Sequence, residues 1–201
     1  MPTLDELLQA TAAHHSHLCP RQVLGVRMGL AGAAFLGLES PRRDKRLLVI
    51  VETDGCFVSG IEAATGSAVS HRTLIVEDYG KIAATFVDTL TGQALRLAPR
   101  PDVRQHARDY APDETRHYFA QLQGYQVMPD ELLFSAQAVT LKTSLQETVS
   151  RAGVRVNCDL CGEEIINERQ VTTAYGVFCR ACAGTGYYEP VPIALPAYLS
   201  V

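Results

Sequence analysis

Two pairs of cysteines near the C-terminus, Cys158-Asp159-Leu160-Cys161 and Cys179-Arg180-Ala181-Cys182, carry the most specific chemistry in the chain. Two residues separate the sulfurs within each pair, and 17 residues separate the pairs. Two such knuckles can set four thiolates about 2.3 Å from one metal ion at the corners of a tetrahedron, the geometry of closed structural Zn²⁺ sites. Gly162 follows the first knuckle where a tight turn needs it, and residues 168–174 and 176–178 read as a short hairpin bending at Tyr175-Gly176. Two disulfides are the competing assignment. They are disfavoured because a CxxC loop is strained as a disulfide and the chain does not look secreted. The expectation is a structural zinc on Cys158, Cys161, Cys179 and Cys182. With no open coordination position, such a site shapes the C-terminus and is a poor place for catalysis.

The other two cysteines sit where their chemistry would be active. Cys19 immediately precedes Pro20, a residue suited to the first helical position, so Cys19 reads as a helix N-cap. Cys56 follows the Asp54-Gly55 turn and opens a second helix. Helix N-termini offer free N–H groups and partial positive charge, which favour the thiolate that binds metal or attacks carbon. His15, His17 and Cys19 alternate, so an extended segment turns all three to one side. With Cys56 they form a candidate core site for a second transition metal. It has either two nitrogens and two sulfurs, or three ligands and an open position suited to Lewis-acid chemistry. A Cys19–Cys56 disulfide, small apolar core thiols and ordinary hydrogen-bonded histidines stand as alternatives.

The elements that must position these groups follow from periodicity. Helices are expected over residues 4–14, 20–38, 56–65, 102–110 and 113–124, and strands over 47–51, 72–77, 81–89, 94–98 and 133–141. Gly25, Gly29 and Gly32 each cost the second helix about 1 kcal/mol relative to alanine, a loss normally recovered by close approach to another backbone. That helix therefore reads as a core helix packed tightly on a sheet. Residues 41–46 form a charged loop read as solvated, and the tail bearing Pro190, Pro192 and Pro196 reads as extended. The fold class is α+β: helices packed on a mostly antiparallel sheet, with a small C-terminal zinc module. Residues 1–150 form the core domain, and 151–201 form the four-cysteine module and its tail.

Composition excludes several functions. The formal charge is −4 and the pI near 5.8. The zinc module sets Arg155, Arg169 and Arg180 against Asp159, Glu163, Glu164 and Glu168, so no basic face is available for phosphates. Nucleic acid is a disfavoured partner. The most apolar stretch, 23–38, contains Arg27 and falls short of the roughly 20 residues of a membrane span. Acids occupy the N-terminus where a signal peptide is basic, and four of six cysteines lie in metal spacing, so a reducing cytoplasm is the expected location.

The segment His15-Ser16-His17-Leu18-Cys19-Pro20, followed by Val26-Arg27-Met28-Gly29, resembles the HGHxCPG opening of the FmdE-like family, named after a component of molybdenum formylmethanofuran dehydrogenase. Asp54-Gly55-Cys56-Phe57 with Ile61-Glu62-Ala63-Ala64-Thr65-Gly66 resembles its second motif, and Asp78-Tyr79-Gly80-Lys81 with Ala83-Ala84-Thr85-Phe86 its third. The resemblance implies an α+β core, a homodimer, and an auxiliary treble-clef-like zinc module. It also implies a polar site of His17, Cys19 and Cys56 with His15 and Lys81 nearby. The chain departs from the pattern at Ser16 and Arg21, where the motif has glycines, and at Ser59, where it has an acid. Ser67 stands where a further cysteine is expected, and His71-Arg72 where a Gly-Lys pair is typical. Three functions compete. One is a metal-binding accessory or maturation factor for molybdenum or tungsten one-carbon oxidoreductases, with such an enzyme as partner. The second is a cysteine-dependent enzyme on a small anionic substrate, with Cys19 or Cys56 as nucleophile, His17 near them, and Lys81 either holding the anion or simply solvated. The third is a zinc-ribbon regulator that binds nucleic acid.

Overall fold

The computed structural model describes residues 2–13, 15–149, 153–189 and 191. His14 and most of the proline-rich tail, with Pro190, Pro192 and Pro196, lie outside the described residues. Two compact units divide the chain, Met1–Leu145 and Gln146–Val201. In the first, helix α1 (Leu4–Ala12) starts on a capping box: Thr3 Oγ1 accepts from the Glu6 N–H, and the Glu6 carboxylate accepts from the Thr3 N–H at 2.8 Å. Helix α2 (Pro20–Phe35) begins behind Cys19. It stops short of the expected Leu38 because the chain turns at Gly37, with φ +66°.

Strand β1 (Leu47–Val51), helix α3 (Cys56–Thr65) and strand β2 (Leu74–Val76) make a parallel crossover in which Val49 pairs with Leu74. Strands β3 (Ala84–Asp88), β4 (Ala94–Pro99) and β5 (Phe134–Ala138) complete a five-stranded sheet in the order β2-β1-β3-β4-β5. Every pair except β1–β2 is antiparallel. The fold is α+β, as the periodicity implied. Between β4 and β5 come the short helix α4 (Val103–His106), helix α5 (His117–Val127) and the short helix α6 (Asp130–Leu133). Helix α5 runs past Gly124, where the pattern ended it. The Arg27 guanidinium of α2 donates to the carbonyls of Tyr125, Gln126 and Met128 at 2.9, 2.9 and 2.7 Å and to Asp130 at 2.7 Å. A cation on the orphan carbonyls at a helix C-terminus stabilises that end.

The glycines of α2 recover their cost chiefly against a helix. A Cβ built on Gly25 would stand 2.2 Å from the Phe57 carbonyl oxygen, and one on Gly60 would stand 2.3 Å from that of Gln22. The backbones of α2 and α3 thus touch at Gly25 and Gly60, and Gly29 faces Ala64 of α3. Only Gly32 meets the sheet, against the Phe86 ring of β3. The expected packing of α2 on the sheet therefore holds for one glycine of three.

The charged loop at residues 41–46 is not simply solvated. Arg42 pairs with Asp44, and the Arg46 guanidinium makes two bonds, 3.0 and 2.9 Å, to the buried carboxylate of Asp88. Those bonds hold the Asp88 pKa down at about 2. A depressed carboxylate pKa stabilises the fold above the unfolded value near 4 and loses that contribution as pH falls toward the folded value. Discounting for the partly exposed Arg46, the pair contributes about 1–2 kcal/mol. Asp88→Asn is expected to lose about that much in urea unfolding at about pH 6, with the gap to wild type closing between about pH 4 and pH 2. An equal gap across that window would remove the ion pair as the cause.

In the second unit, strand β6 (Arg155–Asn157) pairs antiparallel with β7 (Glu164–Ile166), and β8 (Val171–Thr173) with β9 (Gly176–Phe178). The second hairpin is the one its turn residues announced. The first carries the first knuckle in its loop, where Gly162, with φ +75°, makes the turn its position announced, although the strands on either side were not foreseen.

Candidate metal centre and ligand cavity

The hairpin loops bring Cys158, Cys161, Cys179 and Cys182 together, with all four sulfurs within 4.8 Å of one another. Cys161 Sγ and Cys179 Sγ are 4.0 Å apart, and all four thiols are free. That spacing is about twice a covalent S–S bond and close to the roughly 3.8 Å edge of a tetrahedron with 2.3 Å metal–sulfur bonds. Backbone N–H groups turn toward the sulfurs: Cys179 donates to Cys158 Sγ at 3.3 Å and Cys182 to Cys179 Sγ at 3.4 Å. N–H groups of Cys161 and Cys179 bring the Cys158 thiol down to about 6. Cys179 and its neighbouring thiols push Cys182 up to about 12. Four thiolates this close need a cation among them. The disulfide alternative is inconsistent with this geometry, and a metal site fits it.

The N-terminal cysteines lie at two helix mouths. Cys19 is the N-cap of α2, and its own N–H donates to Gln22 Oε1 at 2.7 Å. Gln22, fully buried, donates in turn to the Thr11 carbonyl at 3.1 Å, which ties α1 to the start of α2. Cys56 is the first residue of α3, behind Gly55 with φ +79°. The Gly25–Gly60 contact brings the two helix starts together, and Cys19 and Cys56 both line one cavity, close enough for each thiol to feel the other's charge. Burial pushes the Cys19 thiol up, and the N–H groups of Gln22 and Arg21 oppose the shift without reversing it. The helix-terminus argument thus names the right N–H groups but the wrong net direction for Cys19, because desolvation is the larger effect.

The imidazoles divide. His15 stands behind Cys56, with Nδ1 4.0 Å from Cys56 Sγ and Nε2 2.9 Å from Ser59 Oγ, one turn along α3. His17 is exposed, bonded through Nδ1 to Ser16 Oγ at 2.9 Å, and lines a cavity of about 450 Å³ together with Cys19 and Cys56. Among the described residues, the four-cysteine cluster is the group of three or more ligands with every donor atom within 4.8 Å; His15, His17, Cys19 and Cys56 are not so closed. Two sulfurs with imidazoles at the margin suit a borderline-soft metal by donor type. Closing them on an ion requires a histidine to move. Lys81 is exposed and does not line the cavity; its backbone N–H donates to the Glu52 carbonyl at 3.0 Å. Ser67 is buried at the other end of α3, about 15 Å along the helix from Cys56, and donates to the Leu47 carbonyl. Exposed His71 lies in a 3₁₀ turn beyond it, so neither residue replaces a ligand at the Cys19–Cys56 pair.

Sequence reasoning missed the far wall. Tyr118, Gln121 and Tyr125 face the cavity from α5, and Arg104 from α4. Their spacing of three and four along α5 was the available signal. Burial raises the Tyr118 pKa, and the sulfurs of Cys19 and Cys56 add to the rise. Burial takes Tyr125 up to about 12 against the pull of Arg104. The Arg27 bonds that close the end of α5 also fix this wall.

Three comparisons bear on the whole. A family profile described as FmdE, molybdenum formylmethanofuran dehydrogenase operon, matches residues 14–135. A protein of Archaeoglobus fulgidus described as a probable S-adenosyl-L-methionine-binding protein is 26% identical over 207 aligned positions, covering 92% of this chain. The chain spans only 54% of that relative's length. The crystal structure of an FmdE-like protein of the tungsten formylmethanofuran dehydrogenase type, from Syntrophus aciditrophicus, superposes with a TM-score of 0.61 at 19% identity, covering 94% of this chain and 96% of the other. That likeness is one of fold.

Proposed function

The chain belongs to the FmdE family, and from that membership we propose that it is a metal-binding accessory or maturation factor for a molybdenum or tungsten one-carbon oxidoreductase of the formylmethanofuran or formate dehydrogenase type. In this reading zinc fills the four-cysteine site and keeps the C-terminal unit folded, and a second transition metal is held at Cys19 and Cys56 with His17 or His15 completing the set. The protein acts as a homodimer in the cytoplasm. No helix among the described residues is long and apolar enough to cross a membrane.

The observation that carries the reading is the meeting of Cys19 and Cys56, 37 positions apart in the chain, at the mouth of one cavity beside His17. A raised Cys19 pKa favours it over a resting thiolate nucleophile, because a metal rather than the bare site would supply the charge that ionises the thiol. Elemental analysis of protein purified without added metal is expected to give about two metal equivalents per chain, falling to about one in the Cys19→Ser/Cys56→Ser variant. Mixed with a molybdenum or tungsten formylmethanofuran dehydrogenase, the wild-type chain is expected to co-elute in size-exclusion chromatography. One equivalent in both proteins overturns the core metal, and separate elution overturns the accessory role.

A further inference from the structure

We infer that the cavity beside Cys19 and Cys56 binds a small organic oxyanion, a carboxylate or phosphate ester with an apolar or aromatic body, through Arg21 and Arg104. Charge is the first reason. The chain carries 22 acids against 18 lysines and arginines, yet the cavity is lined by two arginines and no carboxylate. Arg27, Arg46 and Arg96 each bond a carboxylate at 2.5–3.0 Å. Arg21 and Arg104 have no carboxylate partner among the described residues, and Arg104 acts electrostatically on Tyr125 in the wall. Unpaired guanidiniums in a concave site suit the planar, bidentate recognition of carboxylate or phosphate.

Shape is the second reason. About 450 Å³ exceeds what an inorganic ion needs and lies in the range of small-molecule sites. Pro20, Leu24 and Ile82 supply an apolar lining, and Tyr118 and Tyr125 supply aromatic rings. An organic body would lie against these while its charged head met the arginines. Arg21 also stands where the HGHxCPG motif has glycine, so this cation is a departure of the present chain from that motif. Lys81, the cation singled out by sequence, does not line the cavity.

The inference does not depend on a core metal, and its test separates the two. Calorimetric titration of the full-length protein at low salt is run with benzoate, phenyl phosphate and benzamide. At least one of the two anions is expected to bind at least tenfold more tightly than neutral benzamide, and to weaken as salt rises. Tighter benzoate identifies a carboxylate ligand and tighter phenyl phosphate a phosphate ester. Arg21→Gly and Arg104→Gln, both at exposed positions, are each expected to weaken the anion about tenfold with the unfolding midpoint unchanged. The Cys19→Ser/Cys56→Ser variant is expected to keep anion binding even where it loses metal. Equal binding of benzamide, no binding of either anion, or full affinity in the double arginine variant would overturn the proposal.

Discussion

Replacing Gly60 by alanine is expected to destabilise the N-terminal unit by about 3 kcal/mol or more, a fall of roughly 6–12 °C in its unfolding midpoint. The added methyl would lie 2.3 Å from the Gln22 carbonyl oxygen, 2.8 Å from the Val26 nitrogen and 2.9 Å from the Gly25 Cα. All three are backbone atoms, so no side chain can swing aside, and α2 and α3 must separate or tilt. Helix propensity favours alanine by about 1 kcal/mol, far less than that overlap requires. Because Cys19 and Cys56 stand at the starts of these helices, their separation has a second readout. The thiols are expected to move apart and to react faster with iodoacetamide in chelator-treated protein. A variant within about 1 kcal/mol of wild type, with unchanged thiol kinetics, would mean that the helices do not cross at these glycines.

The same contact shows what was legible in the sequence and what was not. Pro20 after Cys19 and the Gly55 turn before Cys56 are local signals, and both helix starts lie where those residues put them. Gly66 ends α3 with φ +71°, again a local property. The CxxC spacing fixes the four-sulfur cluster within one short segment, so it too could be read directly. What stayed hidden was set by tertiary structure. Arg27 looked like a flaw in an apolar stretch until α5 presented its last carbonyls to it. Glu52 and Arg96, 44 positions apart, become a bidentate pair only once β1, β3 and β4 are in register. Tyr118 and Arg104 carry no motif; Tyr118 reaches the cavity because α5 packs on α2, and Arg104 reaches it from the separate short helix α4. Ser67, where the motif has a further cysteine, lies far from Cys56 for a reason no motif shows: a helix of 10 residues separates its two ends by about 15 Å.

Removal of the metal from the four-cysteine site is expected to unfold the C-terminal unit outright. Among its described residues only Cys158 and Ile165 are buried, and its four strands are three residues each. So little apolar surface cannot offset the entropy of ordering the segment. Structural zinc in small modules supplies about 10–16 kcal/mol, which makes the metal the core of this unit. Cys158→Ser removes the buried ligand, whose sulfur also accepts the Cys179 N–H, and is expected to abolish tight binding. Native mass spectrometry should show that variant lighter by one metal, and amide NMR should show residues 153–189 collapsing to unfolded shifts while those of the first unit persist. Acid should act in the same direction. Protons compete for thiolates, so metal affinity falls with pH, and it falls most steeply below about 6, where in the metal-free site even Cys158 takes up its proton. Dispersed signals from 153–189 after complete chelation at neutral pH would show that the hairpins hold without a cation, and the site would then be a passenger on a self-sufficient fold.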